Sequence, residues 1–196
     1  MTHFLGLTGS IGMGKSTTAK MFLDEGVPVW DADAVVHKLY ASEGAAVKPI
    51  QSIYPEAVVD GVISRDRLSS LIATDPHVLT TLESIIHPLV AKDRADFIVK
   101  HSAPLLVFDI PLLFETGADD WLDSVLVVSV DPDTQKKRVL ARPEMTQQKF
   151  ETIVERQLAD ADKRKRADYV IETYCLESTQ KEVQTLIAEL LGHENA

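Results

Sequence analysis

The stretch GLTGSIGMGKSTTAK, residues 6–20, places glycines at 9, 12 and 14 directly before a lysine and a run of hydroxyl side chains. Gly9 to Ser16 match the pattern G-x-x-x-x-G-K-[ST], whose backbone amides and following helix N-terminus surround phosphate oxygens. The pattern is meaningful between a strand and a helix. Here the apolar residues 3–8 precede it, and a segment with helical periodicity follows it as far as Gly26. The sequence therefore predicts a strand, a phosphate-binding loop and a helix.

Each part of this loop has a role in binding a nucleoside triphosphate. The glycines let backbone amides turn inward toward an anion. Lys15 is expected to reach the β- and γ-phosphates and the Ser16 hydroxyl to ligate Mg²⁺. A dinucleotide-binding loop is a poorer interpretation, because Thr17 stands where that motif needs its third glycine. The predicted nucleotide-binding residues of the loop are Gly9, Ser10, Ile11, Gly12, Met13, Gly14, Lys15, Ser16 and Thr17.

Strand and helix patterns alternate along the rest of the chain. Apolar strand patterns occupy 27–30, 104–115, 123–131 and 167–171, and most of the segments between them have helical periodicity. This alternation predicts an α/β P-loop NTPase fold, with an open parallel sheet, helices on both of its faces, and ligands at the carboxyl ends of the strands. The predicted organisation is one domain with a core (1–42, 104–142 and 164–196), a helical acceptor-binding insertion (43–103) and a lid (143–163).

Composition limits the classes of partner. The formal net charge of −10 argues against general adhesion to nucleic acid or to an anionic membrane. No apolar run approaches the roughly 18 residues of a membrane span, and the N-terminus lacks the pattern of a signal peptide. Cys175 is the only cysteine, which suits a reducing compartment. We therefore expect a cytoplasmic protein without nucleic-acid or membrane partners, and we expect it to be a monomer.

Two aspartates that follow the second predicted strand are candidates for the acid near a phosphate acceptor. Asp31 is as suitable for capping the next helix as for contacting a substrate, because aspartate is common at that position. Asp33 lies just inside the same helix, where a structural role is less expected. We predict that Asp33 is the general base, accepting the proton of the acceptor hydroxyl.

A further acid, Asp109, ends the buried run LLVFD. A carboxylate in this position orders the metal in many nucleotide hydrolases, so Asp109 is a candidate Mg²⁺ ligand acting through water. The continuation from Ile110 to Glu115 does not resemble a switch that responds to the γ-phosphate. A small-molecule kinase is therefore preferred to a hydrolase.

The segment from Lys136 to Arg166 is basic, with ten basic and five acidic residues in a chain whose net charge is negative. Arg138 and Arg142 are four apart and share a helix face, and Arg156 follows a polar stretch. Arginine forks suit phosphate oxygens, so the segment is interpreted as a lid that closes on polyphosphate. A solvated helix surface remains the alternative.

At this point the chain resembles the bacterial dephospho-coenzyme A kinases. The resemblance extends from the N-terminus to about residue 171 and lies in the ordered combination of several short motifs rather than in the phosphate loop alone. These motifs are GLTGSIGMGKST, Asp31-Ala32-Asp33, His87-Pro88, Pro111-Leu112-Leu113-Phe114-Glu115, the spacing of Gln135, Arg138 and Arg142, Arg156-Gln157, and Ala167-Asp168-Tyr169-Val170-Ile171.

The resemblance implies phosphorylation of the ribose 3'-hydroxyl of dephospho-coenzyme A by ATP. It implies catalytic roles for Asp33, Lys15 and Arg142, nucleotide contacts by Arg138 and Arg142, and Mg²⁺ held by Ser16 and, through water, by Asp109. The implied acceptor-binding residues are Asp31, Asp33, His87, Leu113, Glu115 and Arg156.

The chain departs from the family pattern after its last predicted strand, where it reads Glu172-Thr173-Tyr174-Cys175. The family usually has an acidic residue, an asparagine and soon a glycine there, near the adenine. We expect ATP to remain the donor, with relaxed selectivity for the base. Two alternatives share the loop: another small-molecule or nucleotide kinase of the same fold, and a non-catalytic nucleotide-binding regulator.

Overall fold

A computed structural model describes residues 2–192. The chain folds as two compact units. Among the described residues, the first comprises 2–30 and 101–192, and the second comprises 31–100. The strands are β1 (His3–Thr8), β2 (Val29–Asp31), β3 (Val58–Val59), β4 (Val62–Ile63), β5 (Leu105–Asp109), β6 (Ser124–Ser129) and β7 (Tyr169–Glu172). The helices are α1 (Lys15–Asp24), α2 (Ala32–Tyr40), α3 (Val47–Ile53), α4 (Arg65–Thr74), α5 (His77–Lys100), α6 (Pro132–Leu140), α7 (Gln147–Glu155), α8 (Asp160–Arg166) and α9 (Leu176–Leu190).

A five-stranded parallel sheet, in the order β2-β5-β1-β6-β7, forms the centre of the first unit. The predicted α/β fold with a parallel sheet is therefore confirmed. β1 lies between β5 and β6, with Leu7 opposite Asp109 on one side and opposite Leu126 on the other. The phosphate loop follows β1, so it begins at the carboxyl edge where the ends of β5 and β6 also lie. This is the edge at which open α/β sheets bind ligands.

The two faces of this sheet bury different side chains because successive residues of a strand point in opposite directions. Leu126 and Val128 belong to a cluster with residues of α1 and α9, whereas Val125 and Val127 pack with Leu113. Phe108 stacks edge-on against Trp121 at 4.8 Å and against Phe4 at 5.5 Å. Helices and loops thus cover both faces, and the sheet holds the residues at its carboxyl edge in fixed register.

The second unit is mostly helical, but it also contains the antiparallel hairpin formed by β3 and β4. This hairpin was not predicted from the sequence, which indicated a helical insertion. Its turn, Asp60-Gly61, has positive φ at both residues, the geometry of a tight hairpin turn. The unit also begins at Asp31, earlier than the predicted bound of 43, because α2 packs against α5 within it.

No helix within residues 2–192 combines the length and the apolar character needed to cross a membrane.

Candidate active site

The phosphate loop owes its shape to glycine. Gly14 has φ of 90°, a left-handed conformation that side chains disfavour, and a Cβ placed there would lie 2.6 Å from Thr173 Oγ1. At Gly9 a Cβ would lie 2.8 Å from the backbone oxygen of Val128 on β6. The loop therefore packs directly on neighbouring backbone and leaves its amides near the N-terminus of α1, where an anion is favoured.

Two glutamines hold the peptide groups of Ile11 inside this loop. Gln135 Nε2, on α6, donates to the Ile11 carbonyl at 2.9 Å, and the Ile11 amide donates to Gln157 Oε1 at 3.1 Å. Gln135 precedes the predicted lid (143–163) and Gln157 lies inside it, after α7, so residues on both sides of α7 are bonded to the same loop residue. In the sequence these glutamines stand out only as part of a family pattern, which predicts no role for them.

Thr173 joins the loop to the turn after β7. Its hydroxyl donates to the Met13 carbonyl at 2.8 Å, and its backbone amide donates to the Ser129 carbonyl at 3.0 Å. Arg138 donates to both the hydroxyl and the carbonyl of Thr173, at 3.0 and 2.5 Å. The sequence flagged this turn as a departure from the family pattern, but nothing in it predicted that Thr173 braces the loop.

Lys15 forms an ion pair with Asp109. Its Nζ lies 2.5 Å from Asp109 Oδ1, and the two side chains are 16% and 3% exposed. The pairing follows from the sheet, since β5 lies beside β1 and the Ile110 amide donates to the Leu7 carbonyl. The structure thus brings together the predicted phosphate-binding lysine and the predicted metal-ordering acid.

A cavity of about 280 Å³ opens beside the loop. Arg138 and Arg142 both line it, whereas Arg156 does not. The predicted common helix face is not what brings the first two together, because α6 ends at Leu140 and Arg142 lies in the turn after it. Ser16 and Thr17 are exposed at the start of α1. The described residues that line this cavity are Gly12, Gly14, Thr17, Thr18, Arg138, Arg142, Thr173, Leu176 and Thr179.

The basic run Lys163 to Arg166 is bonded to acids of the same unit, and this changes the predicted lid. Lys163 Nζ is fully buried, 2.8 Å from Glu115 Oε1. Arg164 pairs with Glu172, and Arg166 pairs with Asp119. Because α8 is anchored by these pairs, we restrict the candidate lid to the segment around α7, before residue 157.

Glu115 and Leu113, predicted to bind the acceptor, make contacts within the protein in this structure. Burial raises the pKa of the Glu115 carboxyl, but hydrogen bonds with Lys163 and with the Leu158 amide outweigh this effect, so the pKa lies below its usual range. The carboxylate therefore stays ionised and braces α8. Leu113 is fully buried in the core with Phe114, Val125 and Val127, so its side chain is not available to a ligand in this structure.

The second unit has its own pocket, with a volume of about 400 Å³, in the usual range for small-molecule sites. Asp33 and His87, both predicted from the sequence, line it. Asp31 does not: its Oδ1 accepts a hydrogen bond from the Ala34 amide at 2.9 Å, so it caps α2. The remaining lining residues are Val36, Tyr40, Arg65, Leu68, Ser69, Ile72, Leu79, Leu82, Glu83 and Ile86.

Asp33 is free to act on a ligand. Its side chain is exposed, and within residues 2–192 no hydrogen bond or ion pair engages its carboxylate. His87 lies on α5 directly before Pro88 and is exposed rather than packed in the core. One pocket therefore contains both a carboxylate and an imidazole ring that can hydrogen-bond to a ligand.

The residues around the phosphate loop fit Mg²⁺ bound together with a nucleotide. No cluster of three or more His, Cys, Asp or Glu side chains that could hold a metal ion occurs among the described residues. The available donors are the exposed Ser16 hydroxyl and the Asp109 carboxylate, both hard oxygens. Magnesium commonly binds in this way, through one or two protein oxygens, water and substrate phosphates.

Comparison with known proteins gives one consistent family. The family model described as dephospho-CoA kinase matches residues 3–176. The dephospho-CoA kinase of Ruegeria pomeroyi is 53% identical over 190 residues, covering 97% of this chain and 96% of that protein. The dephospho-CoA kinase of Jannaschia sp. is 56% identical over 191 residues, covering 97% and 98%.

Solved structures show the same fold. A Thermus thermophilus protein superposes with a TM-score of 0.85 at 34% identity, covering 96% of this chain and 98% of its own. A dephospho-CoA kinase from Campylobacter jejuni has a TM-score of 0.71 at 22% identity, covering 99% and 100%. A shikimate kinase from Acinetobacter baumannii, at 16% identity and a TM-score of 0.55, shares the fold.

Proposed function

The chain belongs to the dephospho-CoA kinase family, and from this premise we propose how its residues carry out the reaction. It is a kinase that phosphorylates dephospho-CoA with ATP, in coenzyme A biosynthesis. We propose that the ribose 3'-hydroxyl is the group phosphorylated and that ADP and coenzyme A are the products. Beyond family membership, the observation that carries the proposal is a free carboxylate, Asp33, in an apolar pocket of a chain that also has a complete phosphate loop.

Binding of the nucleotide is assigned to the loop and to α6. The amides of the loop and the N-terminus of α1 would bind the polyphosphate. Lys15 would leave Asp109 for the transferred phosphoryl group, exchanging one anionic partner for another. Arg138 and Arg142 line the adjoining cavity and would neutralise charge that spreads over phosphate oxygens during transfer.

Mg²⁺ is assigned to Ser16 and to Asp109, the latter through water. When bound, the ion neutralises charge on the phosphates of the nucleotide. In this assignment Lys15 exchanges Asp109 for phosphate, and the Asp109 carboxylate faces the metal through water.

Acceptor chemistry is assigned to Asp33. Its carboxylate would accept the proton of the 3'-hydroxyl as the oxygen attacks the γ-phosphorus and the bond from that phosphorus to the leaving oxygen of ADP breaks. His87, in the same pocket, would orient the acceptor by a hydrogen bond. Arg156, exposed at the end of α7, would act from the lid.

The same chain carries both cavities, and we therefore propose that it works as a monomer. A cytoplasmic location is proposed with it, since the chain has a single, exposed cysteine and needs no disulfide. Sedimentation of the purified protein at micromolar concentration tests the first point.

The experiment that tests the function measures ADP formed from Mg-ATP with and without dephospho-CoA, together with the mass and the ³¹P–¹H coupling of the product. We expect ADP in equal amount to a product that is heavier by one phosphoryl group on the 3'-oxygen. Formation of ADP that does not depend on the acceptor, or phosphorylation of another hydroxyl, would contradict the proposal.

A further inference from the structure

The pocket of the second unit contains a cationic side chain, Arg65, that has no role in the proposed chemistry. Its walls are largely apolar and come from α2, α4 and α5. On α5, Leu79, Leu82, Glu83, Ile86 and His87 recur at the three- and four-residue spacing of one helix face. Among the described lining residues, two carry a negative charge, Asp33 and Glu83, and only Arg65 carries a permanent positive charge.

Arg65 forms no ion pair with an acid of residues 2–192. It is the first residue of α4. Its guanidinium lies over the ring of Tyr40, with Cζ 5.9 Å from the ring centroid. That ring orients the guanidinium by a cation–π contact but offers it no strong hydrogen-bond acceptor.

The N-terminus of α4 adds to the positive electrostatic potential around Arg65. Ser64 caps this ten-residue helix and accepts a hydrogen bond from the Arg67 amide. The partial positive charge of the helix N-terminus therefore lies beside the guanidinium of Arg65. An arginine and a helix N-terminus together favour a multiply charged anion, and the planar guanidinium matches phosphate oxygens.

The proposed acceptor, dephospho-CoA, contains a multiply charged anion at a defined position relative to the hydroxyl that is phosphorylated. In dephospho-CoA a diphosphate joins the 5'-carbon of the ribose to the uncharged pantetheine arm. The diphosphate is thus on the same sugar ring as the hydroxyl assigned to Asp33. Bringing it into a pocket with two carboxylates is unfavourable unless a cation compensates.

Resting on the proposed function, we propose that Arg65 binds the diphosphate of dephospho-CoA and makes the enzyme select acceptors that carry it. The apolar walls then receive the pantetheine arm. Arg65 contributes to binding of the acceptor and does not contact the phosphoryl group during its transfer. Removal of its charge therefore affects KM for the acceptor far more than kcat.

The test is Arg65→Met, which keeps the apolar stem of the side chain and removes its charge. The matched control is Arg67→Met on the same helix, because Arg67 donates to the Glu56 carbonyl and does not line the pocket. For each variant we would measure kcat and KM for dephospho-CoA, KM for ATP, and the inhibition constant of adenosine, which lacks the diphosphate, as a competitor of dephospho-CoA.

For Arg65→Met we expect KM for dephospho-CoA to rise about 10- to 100-fold, the usual effect of losing a charge-assisted hydrogen bond. The inhibition constant of adenosine, kcat and KM for ATP should change by less than about threefold, and Arg65→Lys should recover part of the loss. Arg67→Met should behave as the wild type.

An unchanged KM, or a parallel weakening of dephospho-CoA and adenosine, would overturn the assignment of Arg65 to the diphosphate. Failure of the wild-type enzyme to phosphorylate dephospho-CoA would instead overturn the proposed function. The wild-type assay therefore separates the two failures.

Discussion

Two aspartates close together in the chain differ in expected function because, among the described residues, one carboxylate is hydrogen-bonded within the protein and the other is not. Asp31 and Asp33 are two positions apart, yet the carboxylate of Asp31 is bonded to the Ala34 amide and that of Asp33 faces a pocket without a partner in residues 2–192. A carboxylate that caps a helix is fixed by its hydrogen bond to the backbone and is not directed at a ligand. A carboxylate left free beside a ligand cavity can accept a proton.

Asp33→Asn tests this division. We expect kcat to fall by about 10² to 10⁴, the range of general acid–base catalysis, with the affinity for Mg-ATP nearly unchanged. Asp31→Asn is the control, because asparagine caps helices as well as aspartate does and the change removes a neighbouring charge of the same sign. Similar losses in both variants would indicate a general effect of charge, and a near-normal kcat for Asp33→Asn would show that another group is the base.

At the scale of elements, helix α6 and the turn after α7 are bonded to the phosphate loop through a single residue, Ile11. Gln135 and Gln157 bond to the two sides of Ile11, so the segments on either side of α7 are fixed where the nucleotide would bind. Leu158 is fixed in turn by its amide, which donates to Glu115 Oε1. The segment that we assign to the lid is thus short and is bounded at both ends by these bonds.

Gln157→Met should weaken binding of Mg-ATP. The change removes the acceptor of the Ile11 amide, and the net contribution of one hydrogen bond is about 0.5–1.5 kcal/mol, so we expect the Kd to rise about 2- to 10-fold. Calorimetric titration of the protein with Mg-ATP, in the absence of the acceptor, measures this Kd. Gln148→Met, on the exposed face of α7, is the matched control. Equal Kd values for the two variants would exclude a role of Gln157 in shaping the loop.

The lid itself is tested by hydrogen exchange. We expect amides between residues 142 and 156 to exchange more slowly when a non-hydrolysable ATP analogue and dephospho-CoA bind together, because closure excludes water from the transferred phosphoryl group. Amides of α8 provide an internal reference, since that helix is held by ion pairs. Slowing confined to α8, or none, would identify α7 as an ordinary solvated helix.

At the scale of the whole molecule, stability depends on a buried pair that the sequence presented only as part of a basic run. Lys163 is fully buried and its ammonium group faces Glu115. The pKa of Glu115 is lowered on folding by hydrogen bonds with Lys163 and the Leu158 amide that outweigh the effect of burial. A carboxylate with a lowered pKa stabilises the folded state above its unfolded-state pKa, and the contribution is lost as pH falls through the folded-state value.

Glu115→Gln should therefore lower the free energy of unfolding at pH 7 by about 3 kcal/mol, since it leaves a buried ammonium without its counter-charge. The deficit relative to wild type should shrink below about pH 4, where Glu115 is also losing its charge. Urea denaturation at several pH values measures both effects. Glu172→Gln is the control, because its pair with Arg164 is exposed and worth less than about 1 kcal/mol. A deficit that does not depend on pH would exclude this linkage.

The sequence alone determined the parts of this protein that depend on neighbours along the chain. The phosphate loop, the alternation of strands and helices, and the candidacy of Asp33 follow from spacing and local propensity. The family motifs added the identity of the acceptor. Each of these signals is contained in a short window, because backbone preference and helix periodicity act over a few residues.

Only the tertiary structure decided which distant residues meet. It paired Lys15 with Asp109 and Glu115 with Lys163, buried Leu113, placed Thr173 against Met13 and put Arg65 in the pocket of Asp33. These contacts join residues far apart in the chain, and they are set by the order of strands in the sheet and the packing of helices within each unit. A charged residue on a solvated helix and one in a buried ion pair have the same local sequence pattern. They differ in whether distant parts of the chain bury the charge and remove its water.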